Sequence, residues 1–184
     1  MSGPATFDRP PVVRELADLF AGIWQVGYVA NDLDAAMALA RDELGFARVE
    51  EVPTDTATVL DADGAVVPWT TRIAMAGHGG LIAEIIEPVA GEVGFYRGFL
   101  PPDGGPGLRL HHLATQVPLG DEAWDAVGAV LARAGLRFDL TVLIPGRVRA
   151  GYVDTTARLG HWLEICQLQP EDVAFFSSLV EGPG

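Results

Sequence analysis

The chain has 184 residues, 49% of them hydrophobic, with 12 Lys and Arg against 25 Asp and Glu and a net charge of −13. A chain this long buries about 70% of its unfolded surface, so it needs no disulfide to hold a core, and Cys166 is its single cysteine. The acidity argues against nucleic acid and anionic membrane partners; with no signal-peptide pattern at the N-terminus and the apolar run 81–90 broken by Glu84 and Glu87, a cytoplasmic protein is expected.

Residues 12–20 read as a helix inside an N-terminal extension, 1–21. Residues 23–30 are rich in β-formers, Asn31 and Asp32 supply a turn and a cap, and Leu33, Ala36, Met37, Ala40 and Leu44 recur at helical spacing before Gly45. Four β-type runs follow, at 47–53, 56–60, 66–75 and 81–86, with a hairpin turn at 61–64. The Gly- and Pro-rich stretch 89–107 then leads to a second strand, 110–117. Gly120 and Asp121 open a helix whose apolar stripe is Trp124, Val127, Leu131 and Ala134, closed by Gly135. Strands at 137–144, 147–154 and 161–167 follow, the first two joined by a turn at Pro145 and Gly146. Residues 170–180 form a last helix, with Pro170 in its first turn and Glu171 and Asp172 at its positive end.

The two halves repeat. An offset of 87 lays Ile23 on Leu110, Gln25 on His112 and Met37 on Trp124; an offset of 80 lays Gly80, Ile82, Glu84 and Ile85 on Gly160, Trp162, Glu164 and Ile165. The expected fold is α+β: two tandem βαβββ modules, 22–88 and 108–168, joined by a linker, 89–107, and followed by a C-terminal helical segment, 169–184, all within one structural domain. Neither module can bury its sheet alone, so the two associate and the groove between them is the natural ligand site.

Strand alternation places Gln25 on one face with Ile23 and Gly27, His112 with Leu110 and Ala114, Glu84 with Ile82 and Ile86, and Glu164 with Trp162 and Cys166. A carboxylate amid apolar neighbours is costly unless paired or bound to a cation, and neither carboxylate strand contains Lys or Arg. Gln25, Glu84, His112 and Glu164 therefore form a candidate metal site, with three oxygen donors, one imidazole and two negative charges suited to Zn, Ni, Co, Mn or Fe(II). By the same alternation His111, His161 and Glu87 point away, as surface residues or residues behind the ligands, and His78 is solvated in the turn 77–80. Candidate pocket walls are Trp24 or Tyr28, Trp69, Met75, Phe95, Tyr96, Trp162, Phe175 and Phe176.

Four strings carry a family resemblance: Trp-Gln-Val-Gly-Tyr-Val at 24–29 with Asp-Leu-Asp-Ala-Ala at 32–36, Ala-Glu-Ile-Ile-Glu-Pro at 83–88, Leu-His-His-Leu-Ala at 110–114, and Gly-His-Trp-Leu-Glu-Ile at 160–165. Over residues 22–168 the chain resembles the glyoxalase and bleomycin-resistance group, the vicinal oxygen chelate superfamily. The resemblance implies paired βαβββ modules and a divalent metal held by one residue from the first and last strand of each, here Gln25, Glu84, His112 and Glu164. This set is similar to that of glyoxalase I of the lactoylglutathione lyase type, with methylmalonyl-CoA epimerases close in chemistry. The ring-cleaving dioxygenases of the superfamily hold iron with two His and one Glu, and Gln25 stands where one of those His is expected. The implied activity is that of an isomerase, epimerase or lyase moving a proton beside a metal-chelated substrate, with Glu164 and then Glu84 as candidate catalytic proton carriers. A non-catalytic small-molecule binding protein and a non-haem iron dioxygenase are the alternatives. Arg97, Arg109, Arg147 and Arg149, the cations available to anchor glutathione or CoA, are scattered, so an apolar or aromatic small molecule with vicinal oxygens is the expected partner. A homodimer is also expected, since modules of this superfamily pair within a chain or across two.

Overall fold

In chain order the elements are α1 (Asp18–Ala21), β1 (Ile23–Val29), α2 (Leu33–Asp42), β2 (Arg48–Val52), β3 (Thr58–Asp61), β4 (Val66–Val67), β5 (Trp69–His78), β6 (Leu81–Gly91), α3 (Gly94–Arg97), β7 (Arg109–Gln116), α4 (Asp121–Arg133), β8 (Leu140–Ile144), β9 (Val148–Val153), α5 (Thr156–Leu159), β10 (Trp162–Leu168) and α6 (Pro170–Val180). The computed structural model describes residues 10–46 and 48–180, without the side chains of His78 and Asp103, so the expected exposure of His78 lies outside the described residues.

The internal repeat of the sequence is a structural repeat. β1 lies parallel to β6 with Gln25 opposite Ile82, and β7 lies parallel to β10 with His112 opposite Trp162, which reproduces both offsets. The halves meet where β1 and β7 run antiparallel, making one sheet in the order β2-β5-β6-β1-β7-β10-β9-β8-β3-β4. The fold class is α+β, as expected.

Connectivity forces this sheet to curl. β2 and β3 stand eight places apart in the strand order, about 38 Å across a flat sheet at 4.8 Å per strand. Yet only residues 53–57 join them, a reach of about 20 Å at full extension. The curl gives the sheet a concave face and a convex one.

Helices cover the convex face. Asp32 caps α2, its Oδ1 accepting from the Ala35 amide at 3.0 Å, and Leu33, Ala36 and Ala40 pack on Ala74 and Ile85. α4 lays Trp124, Val127, Val130 and Leu131 over Val153, Leu163 and Ile165. The concave face is lined by Met75, Ile82, Ile86, Ala114, Ala150, Tyr152, Trp162 and Cys166, and α6 adds Phe176 and Leu179 to that cluster. Among the described residues no helix is long and apolar enough to cross a membrane.

Several elements depart from expectation. The β3–β4 hairpin leaves the first half and pairs with β8 of the second, Val59 opposite Val142, because residues 53–57 carry the chain across the mouth of the curled sheet. The strand expected over 66–75 breaks at Pro68, which has no N–H to give a ladder. β6, expected to end near Pro88, runs on to Gly91; Thr71 faces Pro88 and Thr70 faces Ala90, so Val89 is a bulge beside the proline. The helix expected over 12–20 shrinks to α1, since the Asp18 carboxylate takes the amides of Arg14 at 2.7 Å and Glu15 at 3.0 Å into a turn.

α6 can approach β5 because Gly77 has no side chain: a Cβ there would lie 2.2 Å from the Leu179 carbonyl oxygen. Gly77→Ala should therefore lift the helix from the sheet and cost about 1–3 kcal/mol, read as a lower urea midpoint at unchanged slope.

Candidate metal centre

The four central strands set the site out in two rows. One runs Glu84, Gly27, His112 and Trp162 across β6, β1, β7 and β10; the next runs Ile82, Gln25, Ala114 and Glu164. Gly27 and Ala114 are themselves equivalent by the offset of 87, and their small size opens the space into which the larger side chains lean. At Gly27 the fit is absolute, since a Cβ there would lie 1.9 Å from Cε1 of His112. Gln25, Glu84, His112 and Glu164 come together within one chain, at 3%, 6%, 0% and 5% exposure.

Two bulges correct the expected faces. Ile23 faces Thr115 and Gln25 faces Ala114, so Trp24 is an extra residue in β1 and Ile23 does not share the face of Gln25. Gly27 faces His112 and Tyr28 faces Leu110, so His111 is an extra residue in β7, and Leu110, 42% exposed, does not share the face of His112. Strict alternation fails at both places because a bulge adds a residue without advancing the partner strand.

Nε2 of His112 lies 3.1 Å from Oε2 of Glu84 and 3.1 Å from Oε2 of Glu164. Despite these separations, none of the three atoms makes a well-directed hydrogen bond with any group. Three buried polar atoms thus converge without satisfying one another, which is rare in a folded interior and is the arrangement a cation would complete. One donor atom from each of Glu84, His112 and Glu164 falls within 4.8 Å of the others, so these three could hold a metal ion. Gln25 stands beside them, its side chain hydrogen-bonded to Glu84.

Burial raises the Glu84 carboxyl, and the neighbouring Glu164 carboxylate adds to the rise, while the nearby His112 imidazole and a hydrogen bond from Gln25 oppose it. For His112 burial acts downward, but the adjacent Glu164 and Glu84 carboxylates outweigh it and lift the imidazole to about 9. Without a cation, then, His112 is an imidazolium between two carboxylates at neutral pH. His111 is the reverse: burial, then the charge of His112, push it down to about 2.

A cavity of ≈ 100 Å³ opens beside the carboxylates. Gln25, Glu84, Tyr152 and Glu164 bring its polar groups, and Trp69, Met75 and Phe176 are among its apolar walls. Val52 at the end of β2, with Pro53, Thr54 and Ala57 from the segment crossing to β3, closes one side. Of the other expected walls, Trp24 packs on Phe176 with ring centroids 4.9 Å apart, and Phe175 also packs on Phe176. Phe95, Tyr96 and Trp162 instead surround His111, while Tyr28 packs on the opposite face with Val26. Tyr152 was missed by the sequence reading, although the matching position in the first half, Met75 opposite Glu84, is the counterpart of Tyr152 opposite Glu164.

His111, expected to point away, is instead buried beside His112 and packs against Tyr152 and Trp162, because the β7 bulge breaks the alternation; His161 contacts the Trp162 carbonyl at 2.7 Å, and Glu87 accepts from the Leu33 amide and pairs with Arg72. Among the described residues no Lys or Arg lines the cavity. Arg147 is paired with Asp172, and Arg149 with Asp121 while lying over the Trp124 ring. Arg97 and Arg109 are exposed.

No family model matches the sequence, and no curated protein does. Among solved structures, the chain is similar to methylmalonyl-CoA epimerase from Mycobacterium tuberculosis, with 21% identity and a TM-score of 0.55 over 83% of this chain and 91% of that one. A methylmalonyl-CoA epimerase in complex with methylmalonyl-CoA and ammonium gives 21% identity and a TM-score of 0.53 over 88% of this chain and 97% of that one. A Streptomyces coelicolor methylmalonyl-CoA epimerase variant in complex with 2-nitronate-propionyl-CoA gives 21% and 0.52 over 79% and 96%. These neighbours share the fold, which is the glyoxalase-like fold that the sequence motifs imply.

Three outcomes follow from this arrangement. Gly27→Ala should displace the His112 ring and weaken divalent metal binding by at least about tenfold, measured by calorimetry, with the fold kept as judged by circular dichroism. Metal binding must also expel the His112 proton, so at pH 7 uptake should release about one proton, and affinity should rise with pH and level off above about 9. In metal-free protein the sign is opposite: stability gained by raising His112 from 6.5 is present below that pH and is lost as pH rises through about 9, as urea titrations across this range would show.

Proposed function

We propose that this chain is a divalent-metal-dependent isomerase of the glyoxalase type, which moves a proton at a carbon beside a carbonyl of a small apolar substrate with two vicinal oxygens. The observation that carries the proposal is the convergence of Glu84 Oε2, His112 Nε2 and Glu164 Oε2, buried and unsatisfied, next to a cavity. Glu84, His112 and Glu164 would hold the ion with Gln25 as a fourth donor, and the ion, when bound, supplies Lewis-acid stabilisation of charge on the substrate oxygens. Zn, Ni, Co, Mn and Fe(II) all suit a donor set of oxygens and one imidazole.

The side chains divide the work by their chemistry. The Gln25 amide does not titrate, and His112 has its Nε2 committed to the cluster, so both hold and orient. Glu84 is pinned by the Gln25 amide. Glu164 is contacted by the Cys166 thiol, a weak donor, which leaves it freer to take a proton from the substrate carbon and return it. Glu164 is therefore the first proton carrier and Glu84 the second. Trp69, Met75, Ile73 and Phe176 exclude water, which strengthens every charge interaction inside.

The fold neighbours are epimerases, and proton removal and return at one carbon is the chemistry an epimerase performs, which supports an isomerase over a lyase. Two of them are bound to CoA derivatives. For this chain we favour a substrate without a CoA tail, because among the described residues no cation lines the cavity and Arg147 and Arg149 are engaged by carboxylates. We also take the protein to act as a cytoplasmic homodimer; the single thiol supports the first reading, and Leu110, exposed on the convex side of the central strands, supports the second.

The test is deuterium exchange of the hydrogens beside the keto group in apolar 2-oxo acids, followed by proton NMR with Ni, Co, Mn, Zn or Fe(II) supplied. We expect metal-dependent exchange, slowed about 10²- to 10⁴-fold in Glu164→Gln at saturating metal. Metal bound with no exchange across the panel would leave a binding protein, and oxygen uptake with Fe(II) would instead point to the dioxygenase alternative.

A further inference from the structure

The bulge in β7 places two successive histidines side by side, and their ring nitrogens decide which atom of His112 faces the carboxylates. Nδ1 of His111 lies 3.0 Å from Nδ1 of His112, and Nε2 of His111 lies 3.3 Å from the Phe95 carbonyl oxygen. A carbonyl only accepts, so Nε2 of His111 carries a proton. Its ring is enclosed by Phe95, Tyr96, Phe99 and Trp162, at centroid distances of 5.3, 4.8, 5.0 and 6.1 Å, and no carboxylate pairs with it among the described residues. The ring is neutral, one proton is all it has, and its Nδ1 is a bare acceptor. His112 must therefore donate from Nδ1, which leaves Nε2 to supply the lone pair.

We infer that His111 is a positioning residue: anchored by the Phe95 carbonyl, it fixes the ring and tautomer of His112 so that Nε2, the atom 3.1 Å from both carboxylate oxygens, is the one available to a metal. The chain of contacts starts in α3, so the segment between the two halves reaches the site through a backbone oxygen. The relevance of this tautomer to a metal rests on the proposed function, whereas the tautomer itself does not.

Two variants and one spectrum test it. His111→Phe keeps an aromatic ring but has no acceptor, while His111→Asn places an oxygen near the original Nδ1. Zinc affinity, measured by competition with a chromophoric chelator, should fall about 10- to 100-fold in the Phe variant and stay within about threefold of the parent in the Asn variant. Equal affinity in parent and Phe variant, or equal loss in both variants, would overturn the inference. In metal-free protein with ¹⁵N-labelled histidine, long-range proton–nitrogen spectra should show a proton on Nε2 and none on Nδ1 of His111. A proton on Nδ1 of His111 would overturn the inference whether or not zinc binds, while absence of zinc binding by the parent would count against the proposed function alone.

Discussion

Two carboxylates and an imidazole, each almost removed from water, share one small volume at the seam between the two halves. Desolvating two like charges there is unfavourable by several kcal/mol, and a proton on His112, a proton on one of the glutamates or a cation offsets it. The rest of the molecule is arranged around that requirement. β1 and β7 meet antiparallel so that the end strands β6 and β10 each bring one glutamate toward the same point. Gly27 and Ala114, small residues at equivalent places, keep the two central strands from filling the space.

Enclosure follows from chain path. Because β2 and β3 are joined by a short segment, the sheet closes on itself, and the crossing residues become part of the cavity wall. α6 completes the wall with Phe176, seated through the close approach at Gly77. The result is a mostly apolar chamber with its charge gathered at one end. In the proposed reading that division separates the tasks: apolar walls select the body of a substrate, the carboxylates and His112 would hold an ion to meet its vicinal oxygens, and Glu164 takes its mobile proton.

Much of this was legible in the sequence. The offsets of 87 and 80 are side-chain patterns, but they reappear as the pairs Gln25 with Ile82 and His112 with Trp162, so the repeat carried strand register as well as element order. Mid-strand glutamates without a nearby cation marked Glu84 and Glu164, and both lie in the cluster. The two bulges were not legible, because an extra residue at Trp24 or His111 leaves no compositional mark yet reverses the face of everything beyond it. For that reason His111, assigned to the opposite face, packs beside His112 against Tyr152 and Trp162, and Ile23 and Leu110 do not share the faces assigned to them. The β3–β4 hairpin reads locally as two strands and a turn; its partner, β8, is set by the curl of the whole sheet, which no local pattern contains. α1 was overestimated because apolar spacing over 12–20 does not register the Asp18 carboxylate competing for backbone amides.

The central claim is that Glu84, His112 and Glu164 form one ligand set. X-ray absorption at the metal edge of the cobalt-loaded protein tests it most directly, because it counts scatterers by element and distance. The account predicts a single imidazole with the remaining ligands oxygen at about 2.0–2.2 Å, and no sulfur. A sulfur scatterer, which would implicate Cys166, or more than one imidazole, which would bring another histidine into the site, would contradict it.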